Sequence, residues 1–231
     1  MYGLVAILTV VALTLPAAAN EQKDREEAHE RAVKAADVIH SIMASPDSEI
    51  PADLLSKAHG IAVIPNVVKG AFLAGGRFGK GLVVSRGENG MWGTPLFVDI
   101  GGGSFGLQIG VEATDLILVF TKPDGIREML KDNLKLGAEA GAVAGPVGRQ
   151  VEAGTNLTFD SPIYSYSRNK GVFAGVSLDG SVLAVDDSAN EAVYGKGIRG
   201  TEILMGKAQT NEVTRPFLEA VKKSSPQKPT E

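Results

Sequence analysis

Cysteine is absent from this chain of 231 residues, histidine occurs three times and tryptophan once. Without cysteine there is no disulfide, no thiolate metal site and no lipid-anchor cysteine, so the fold must be held by its core alone. His29 and His40 lie about three helical turns apart, too far to share a metal, and His59 stands alone near a helix end. No Ser–His–Asp arrangement can be assembled, and the adjacent pair Asp186-Asp187 reads as a turn or helix cap rather than a glycosidase couple. Basic residues show no excess either: Lys+Arg number 23 against Asp+Glu 27, a formal charge of −4. Bulk nucleic-acid binding needs a basic footprint, so no nucleic acid is expected, although a local basic patch remains open. No catalytic residue, metal or cofactor is expected.

Long apolar runs are also scarce. The one example, Leu4 to Leu15, is too short to span ~30 Å of hydrocarbon comfortably. Pro16-Ala17-Ala18-Ala19-Asn20 follows it, and Ala17 with Ala19 fits the small-x-small pattern of a secretory cleavage site. Met1-Tyr2-Gly3 supplies no Lys or Arg. The reading is a signal peptide over 1–19, a single domain over 20–223 and a disordered tail over 224–231. A periplasmic or secreted location follows, with peripheral membrane association open.

Glycine, by contrast, is abundant and concentrated. Of 28 glycines, 14 fall between Gly60 and Gly110, interleaved with short runs of Val, Ile, Phe and Leu. Each glycine costs ~1 kcal/mol against alanine inside a helix, so this density excludes helix. It suits twisted strands whose backbones approach closely. Strands are expected at Ile61–Pro65, Gly70–Gly75, Gly81–Arg86, Leu96–Ile100, Phe105–Val111 and Leu116–Thr121, then at Pro162–Arg168, Gly171–Leu178 and Ser181–Val185. Asn169-Lys170 and Asp179-Gly180 read as tight turns, the second as a two-residue hairpin.

Helices flank this region. Ala28, Ala32, Ala35, Ile39 and Ile42 recur at helical spacing within Glu21–Ala44, opposite a densely charged face. A short helix is expected from Pro51 towards Gly60, another after Pro123-Asp124-Gly125 to about Asp132, and two more near Thr201–Ala208 and Thr214–Lys223. The Gly- and Ala-rich stretch Gly137–Gly148 reads as a closely packed strand or turn rather than a membrane glycine zipper. The expected fold is α+β, a central antiparallel sheet or partly closed barrel of short Gly-rich strands with helices at both ends.

Gly101, Gly103 and Gly106 satisfy G-x-G-x-x-G, but a strand-like alternation follows where a dinucleotide site needs a helix. A turn or bulge is the reading there, with positive φ expected at Gly102, Gly103 or Gly106. Lys69, Arg77, Lys80 and Arg86 lie within 18 residues with no acid among them, and Arg149, Arg168 and Lys170 join other glycine-rich or strand segments. Converging, these seven could hold phosphate through charge-assisted hydrogen bonds; singly, each reads as a solvated strand-edge charge.

Six blocks in order carry a family resemblance: Ala58-His-Gly-Ile-Ala-Val-Ile-Pro-Asn-Val-Val-Lys-Gly-Ala-Phe72, the Gly-Gly-Arg-Phe-Gly-Lys-Gly81 run, Trp92 with Pro95, Gly102 to Gly110, Gly145-Pro-Val-Gly-Arg149, and Ile163 to Ser177. Over roughly Ala35 to Tyr194 the chain resembles the SYLF lipid-binding domain, as a bacterial exported member. The resemblance implies a non-catalytic lipid-binding domain. Eukaryotic members bind phosphoinositides and, in fungi, actin filaments, with lipid binding associated with an N-terminal amphipathic helix equivalent to Glu30–Ala44. For an exported bacterial protein, an anionic phospholipid or another amphiphile is the expected ligand and actin is not an expected partner. The alternative is an envelope structural or protein-interaction module without a lipid ligand.

Overall fold

The computed structural model describes residues 15–44, 49–72, 74–104, 110–131, 133–137, 141–147, 159–169, 172–176 and 178–225. Helix α1 (Leu15–Met43) and the short α2 (Ala52–Ser56) precede four long strands, β1 (Gly60–Phe72), β2 (Ala74–Ser85), β3 (Leu96–Ser104) and β4 (Gly110–Phe120). Then come α3 (Asp124–Lys131), β5 (Leu134–Leu136), β6 (Ala142–Ala144), β7 (Ile163–Asn169), β8 (Val172–Gly175) and β9 (Ser181–Val185). The chain returns to helix in α4 (Asp187–Tyr194), α5 (Gly200–Leu204) and α6 (Arg215–Ser224). The strands join in one sheet of order β5-β9-β3-β2-β1-β4-β7-β6, with β8 paired to β7. Every pairing is antiparallel except β6 with β7. The result is an α+β fold with a near-closed, barrel-like sheet flanked by helices, as the sequence reading expects.

Both faces of the central strands are buried. On β1, Ile61 and Val63 join the core beneath α1 and α6, while Ala62 and Ile64 join the core beneath α3 and α5. This explains why the strands read as nearly continuous apolar runs rather than a polar–apolar alternation. Ala28, Ala32 and Ala35 place small side chains along α1, so the helix lies close to its neighbours, and Phe217 and Val221 of α6 complete that layer.

Strands that the sequence divides are continuous in space. The expected break at Pro65 is a bulge within β1: Val63 faces Leu82 and Val68 faces Phe78, so β1 carries one extra residue there. Asn66 occupies it with φ 51° and donates its backbone N–H to the Asp115 carboxylate at 3.0 Å. The Asp179-Gly180 turn forms, closed by the Ser181 N–H to the Leu178 carbonyl at 3.0 Å, but it is no hairpin. β8 pairs with β7, whereas β9 pairs with β3 and β5. In the Gly137–Gly148 stretch, the described part holds β6, and Gly145 lets the Tyr166 ring lie against its backbone where a Cβ would collide. No helix among the described residues is long and apolar enough to cross a membrane.

Gly102 has φ +152°, and a Cβ there would strike the Gly180 carbonyl oxygen. Gly103 lacks such a φ and has open space where a Cβ would sit, contrary to the expectation of positive φ, and Gly106 lies outside the described residues. Gly102→Val is expected to cost about 3 kcal/mol or more in unfolding stability, while Gly103→Val stays within about 1 kcal/mol. Urea unfolding of the two variants checks this, and equal losses would refute it.

Candidate functional site

Strand alternation separates the basic residues that lie together in sequence. Arg77 is buried on the α3/α5 side of β2 and donates to the Ser181 hydroxyl at 2.8 Å. It reaches Ser181 across Gly102, which stands between them in register and has no side chain to obstruct the path. Burial lowers the Arg77 pKa from its ordinary value. Lys80, three residues on, points to the opposite face and pairs with Asp186 at 3.5 Å. Lys69 is half-buried on β1, in register with Arg77 and Glu112.

Arg86 lies at the far end of β2. Its guanidinium sits 4.4 Å from the Trp92 ring centroid and donates to the Ser56 and Ser225 carbonyls at 3.3 and 3.4 Å and to the Ser225 hydroxyl at 2.8 Å. Trp92 donates its indole N–H to the same Ser225 carbonyl at 3.0 Å. Arg168 on β7 grips Asp115 through Nε at 2.8 Å and Nη2 at 2.6 Å, so it secures the Asn66 bulge at one remove. Arg149 and Lys170 lie outside the described residues. The structure therefore does not gather Lys69, Arg77, Lys80 and Arg86 on one face, and Arg77 is not the exposed charge that the sequence reading assumes.

One carboxylate joins the layers. Asp186 caps α4 by accepting from the Ala189 N–H at 3.1 Å, as its place before the helix suggests, and it also accepts from Ser188 at 2.7 Å and Arg31 of α1 at 2.8 Å. Burial alone would raise its pKa, but Ser188, Arg31 and the Ala189 amide outweigh that and hold it at about 2. Asp99 on β3 is shifted the other way: burial and the neighbouring Asp186 charge raise its pKa, against the pull of Lys80 and Arg31.

A cleft of about 540 Å³ lies between α2, α3 and the end of α5, beside the end of β2. Lys57 and His59 contribute from the α2–β1 junction, Arg86 and Glu88 from the end of β2, Ile126, Arg127 and Leu130 from α3, and Leu204 with Met205 from the end of α5. The side chain of Arg127 is 66% exposed and meets Asp124 at 3.3 Å, while the Lys57 ammonium lies 5.2 Å from the Phe159 ring centroid. Met205 is 78% exposed. Three lining cations, against Glu88 and the Asp124 partner of Arg127, leave this cleft locally positive beside apolar side chains, in a chain of net charge −4. Of the five described among the seven basic residues singled out by sequence, Arg86 alone lines it. The lining comes from four separated segments, and only that of Ser85 to Gly90 lies inside the glycine-rich stretch that draws attention in the sequence. Among the described residues no group of three or more His, Cys, Asp or Glu is placed to hold a metal ion.

The described charges fasten the strands of the barrel-like sheet to one another and to its helical jacket. A family model described as "Ysc84: Las17-binding protein actin regulator" matches residues 101–224. The chain belongs to this family and is a non-catalytic Ysc84/SYLF-like domain. It is similar to SH3 domain-containing YSC84-like protein 1 from Homo sapiens, 36% identical over 162 residues that cover 70% of this chain and 47% of that protein. The Bos taurus protein of the same name is 34% identical over 172 residues, covering 74% of this chain and 49% of that protein. Protein YSC84 of Saccharomyces cerevisiae is 33% identical over 193 residues, covering 80% and 41% respectively. The chain spans about half the length, or less, of these curated relatives.

These relatives correct several expectations. They are animal and fungal proteins, two of them named for SH3 domains, and they overturn the assignment to a bacterial exported member. The periplasmic or secreted location and the secretory reading of the N-terminal run fall with it; residues 1–14 lie outside the described residues, and Leu15–Ala19 belong to α1. The exclusion of actin falls as well, because the family's own description is that of an actin regulator.

The buried Asp186 and the half-buried Asp99 make opposite demands on pH. Asp186 has a depressed pKa, so its contribution is complete above the ordinary aspartate range and is lost as pH falls from about 4 through about 2. Asp99 has a raised pKa, so ionising it weakens the fold as pH rises through that shifted value. Asp186→Asn is expected to remove about 1 kcal/mol of the acid-dependent stability after allowance for solvent screening. Asp99→Asn is expected to raise Tm near neutral pH by about 2–4 °C. Thermal unfolding between pH 2 and 8 checks both; a lower Tm for Asp99→Asn at pH 7 would show that Lys80 and Arg31 favour its ionised form.

Proposed function

We propose that this chain is a non-catalytic protein-interaction module acting in actin regulation. The observation that carries the reading is the family match over residues 101–224, which runs from within β3 to the end of α6 and so includes the α3 and α5 walls of the cleft. The engagement of Arg77, Arg86 and Arg168 inside the fold adds support, because it leaves these residues to serve structure first. An anionic phospholipid or another amphiphile, held by Lys69, Arg77, Lys80, Arg86, Arg149, Arg168 and Lys170, is the competing reading.

Sedimentation with actin filaments tests the proposal. The purified chain is expected to enter the pellet in proportion to filament concentration. Flotation with vesicles of phosphatidylcholine, with and without phosphatidylserine, provides the contrast. A chain that stays in the supernatant at every filament concentration, yet floats with the anionic vesicles, would replace the actin reading with the lipid one.

A further inference from the structure

We propose that the cleft between α2, α3 and α5 is the docking site for an acidic peptide segment of a protein partner, anchored by a large apolar side chain. This rests on the protein-interaction reading and names the chemistry of the partner. Charge complementarity is the first argument. Lys57, Arg86 and Arg127 line the cleft against Glu88 and the Asp124 partner of Arg127, while the chain as a whole carries −4. A locally positive cleft on an acidic protein selects acidic partners and steers their approach.

The floor supplies the second argument. Ile126, Leu130, Leu204 and Met205 surround a volume of about 540 Å³, enough for more than one apolar side chain. Met205 is 78% exposed, the most exposed large hydrophobic residue described in the chain. Burying an apolar anchor there removes the side chain and the apolar lining from water together. The cations stand around the rim on separate elements, so they suit carboxylates spaced along an extended segment rather than one compact anion. Arg86, held by Ser56, Ser225 and Trp92, is fixed before any ligand arrives. Arg127 is tied only by an exposed i,i+3 pair to Asp124, which an incoming carboxylate can replace at little cost.

A display library of random short peptides, panned on the full chain, is the probe. Wild type is expected to enrich sequences with Asp or Glu flanking Leu, Phe or Trp. Binding of an enriched peptide, labelled with fluorescein, should weaken about tenfold or more in Lys57→Glu/Arg127→Glu and comparably in Met205→Asp. It should also weaken with added salt. All three substituted side chains are exposed, so thermal unfolding should match wild type and exclude misfolding as the cause. Enrichment without acidic bias, or unchanged affinity in folded variants, overturns the proposal. Vesicles of phosphatidylserine that bind wild type and fail to bind both variants would assign the cleft to a lipid surface and overturn it too. If the cleft variants lose nothing while sedimentation with actin persists, the peptide site fails and the interaction module stands.

Discussion

Asp186 lies where α1, α4, β2 and β3 meet, and its carboxylate sets their register against one another. The same group caps the first turn of α4, receives Arg31 from α1 and Lys80 from β2, and presses on Asp99 of β3. An ion pair this buried contributes little net stability over an apolar contact, because desolvation offsets most of the attraction. Its effect is on specificity. The face of α1 towards the sheet is made of alanines and isoleucines, which pack nearly as well after a shift of one turn; a charge with one partner position does not.

The guanidinium groups share this role. In a chain without cysteine, Arg77 joins β2 to β9, Arg86 joins β2 and α2 to the end of α6, and Arg168 secures the bulge in β1 through Asp115. Arg77 and Arg86 span elements that backbone hydrogen bonding does not connect, while Arg168 bridges the paired strands β7 and β4. A planar group with five donors can satisfy several carbonyl or carboxylate oxygens at once, which suits it to such junctions. Lysine has neither the plane nor the reach for that, and here Lys57 and Lys80 keep to the margins.

Elements whose signal is local were legible in the sequence. The alanine and isoleucine spacing in α1, the cap at Asp186 and the Asp179-Gly180 turn all depend on neighbours within a few residues. What a turn connects does not: that turn leads from beside β7 to beside β3, and strand pairing at that range leaves no trace in a dipeptide. The short helix α4 carries too few residues to show a period beyond its capping aspartate. For the site, counting basic residues along the chain ignored the alternation of a strand, which sends Arg77 and Lys80 to opposite faces. The cleft was invisible for a related reason. Its walls come from residues 56–59, 85–90, 123–130 and 201–205, and only the closure of the sheet brings them together.

The latch on α6 has a topological consequence. Because Arg86 and Trp92 hold Ser225 beside the end of β2, the end of α6 is fixed close to Ser56 and Arg86 on the wall of the cleft. A segment joined there by a short flexible tether would meet the cleft at an effective concentration on the order of millimolar, whatever its intrinsic affinity. If the cleft takes the acidic segment proposed above, a module so tethered and an outside partner would compete for the same opening. The length and stiffness of the tether would then set the threshold that the partner must exceed.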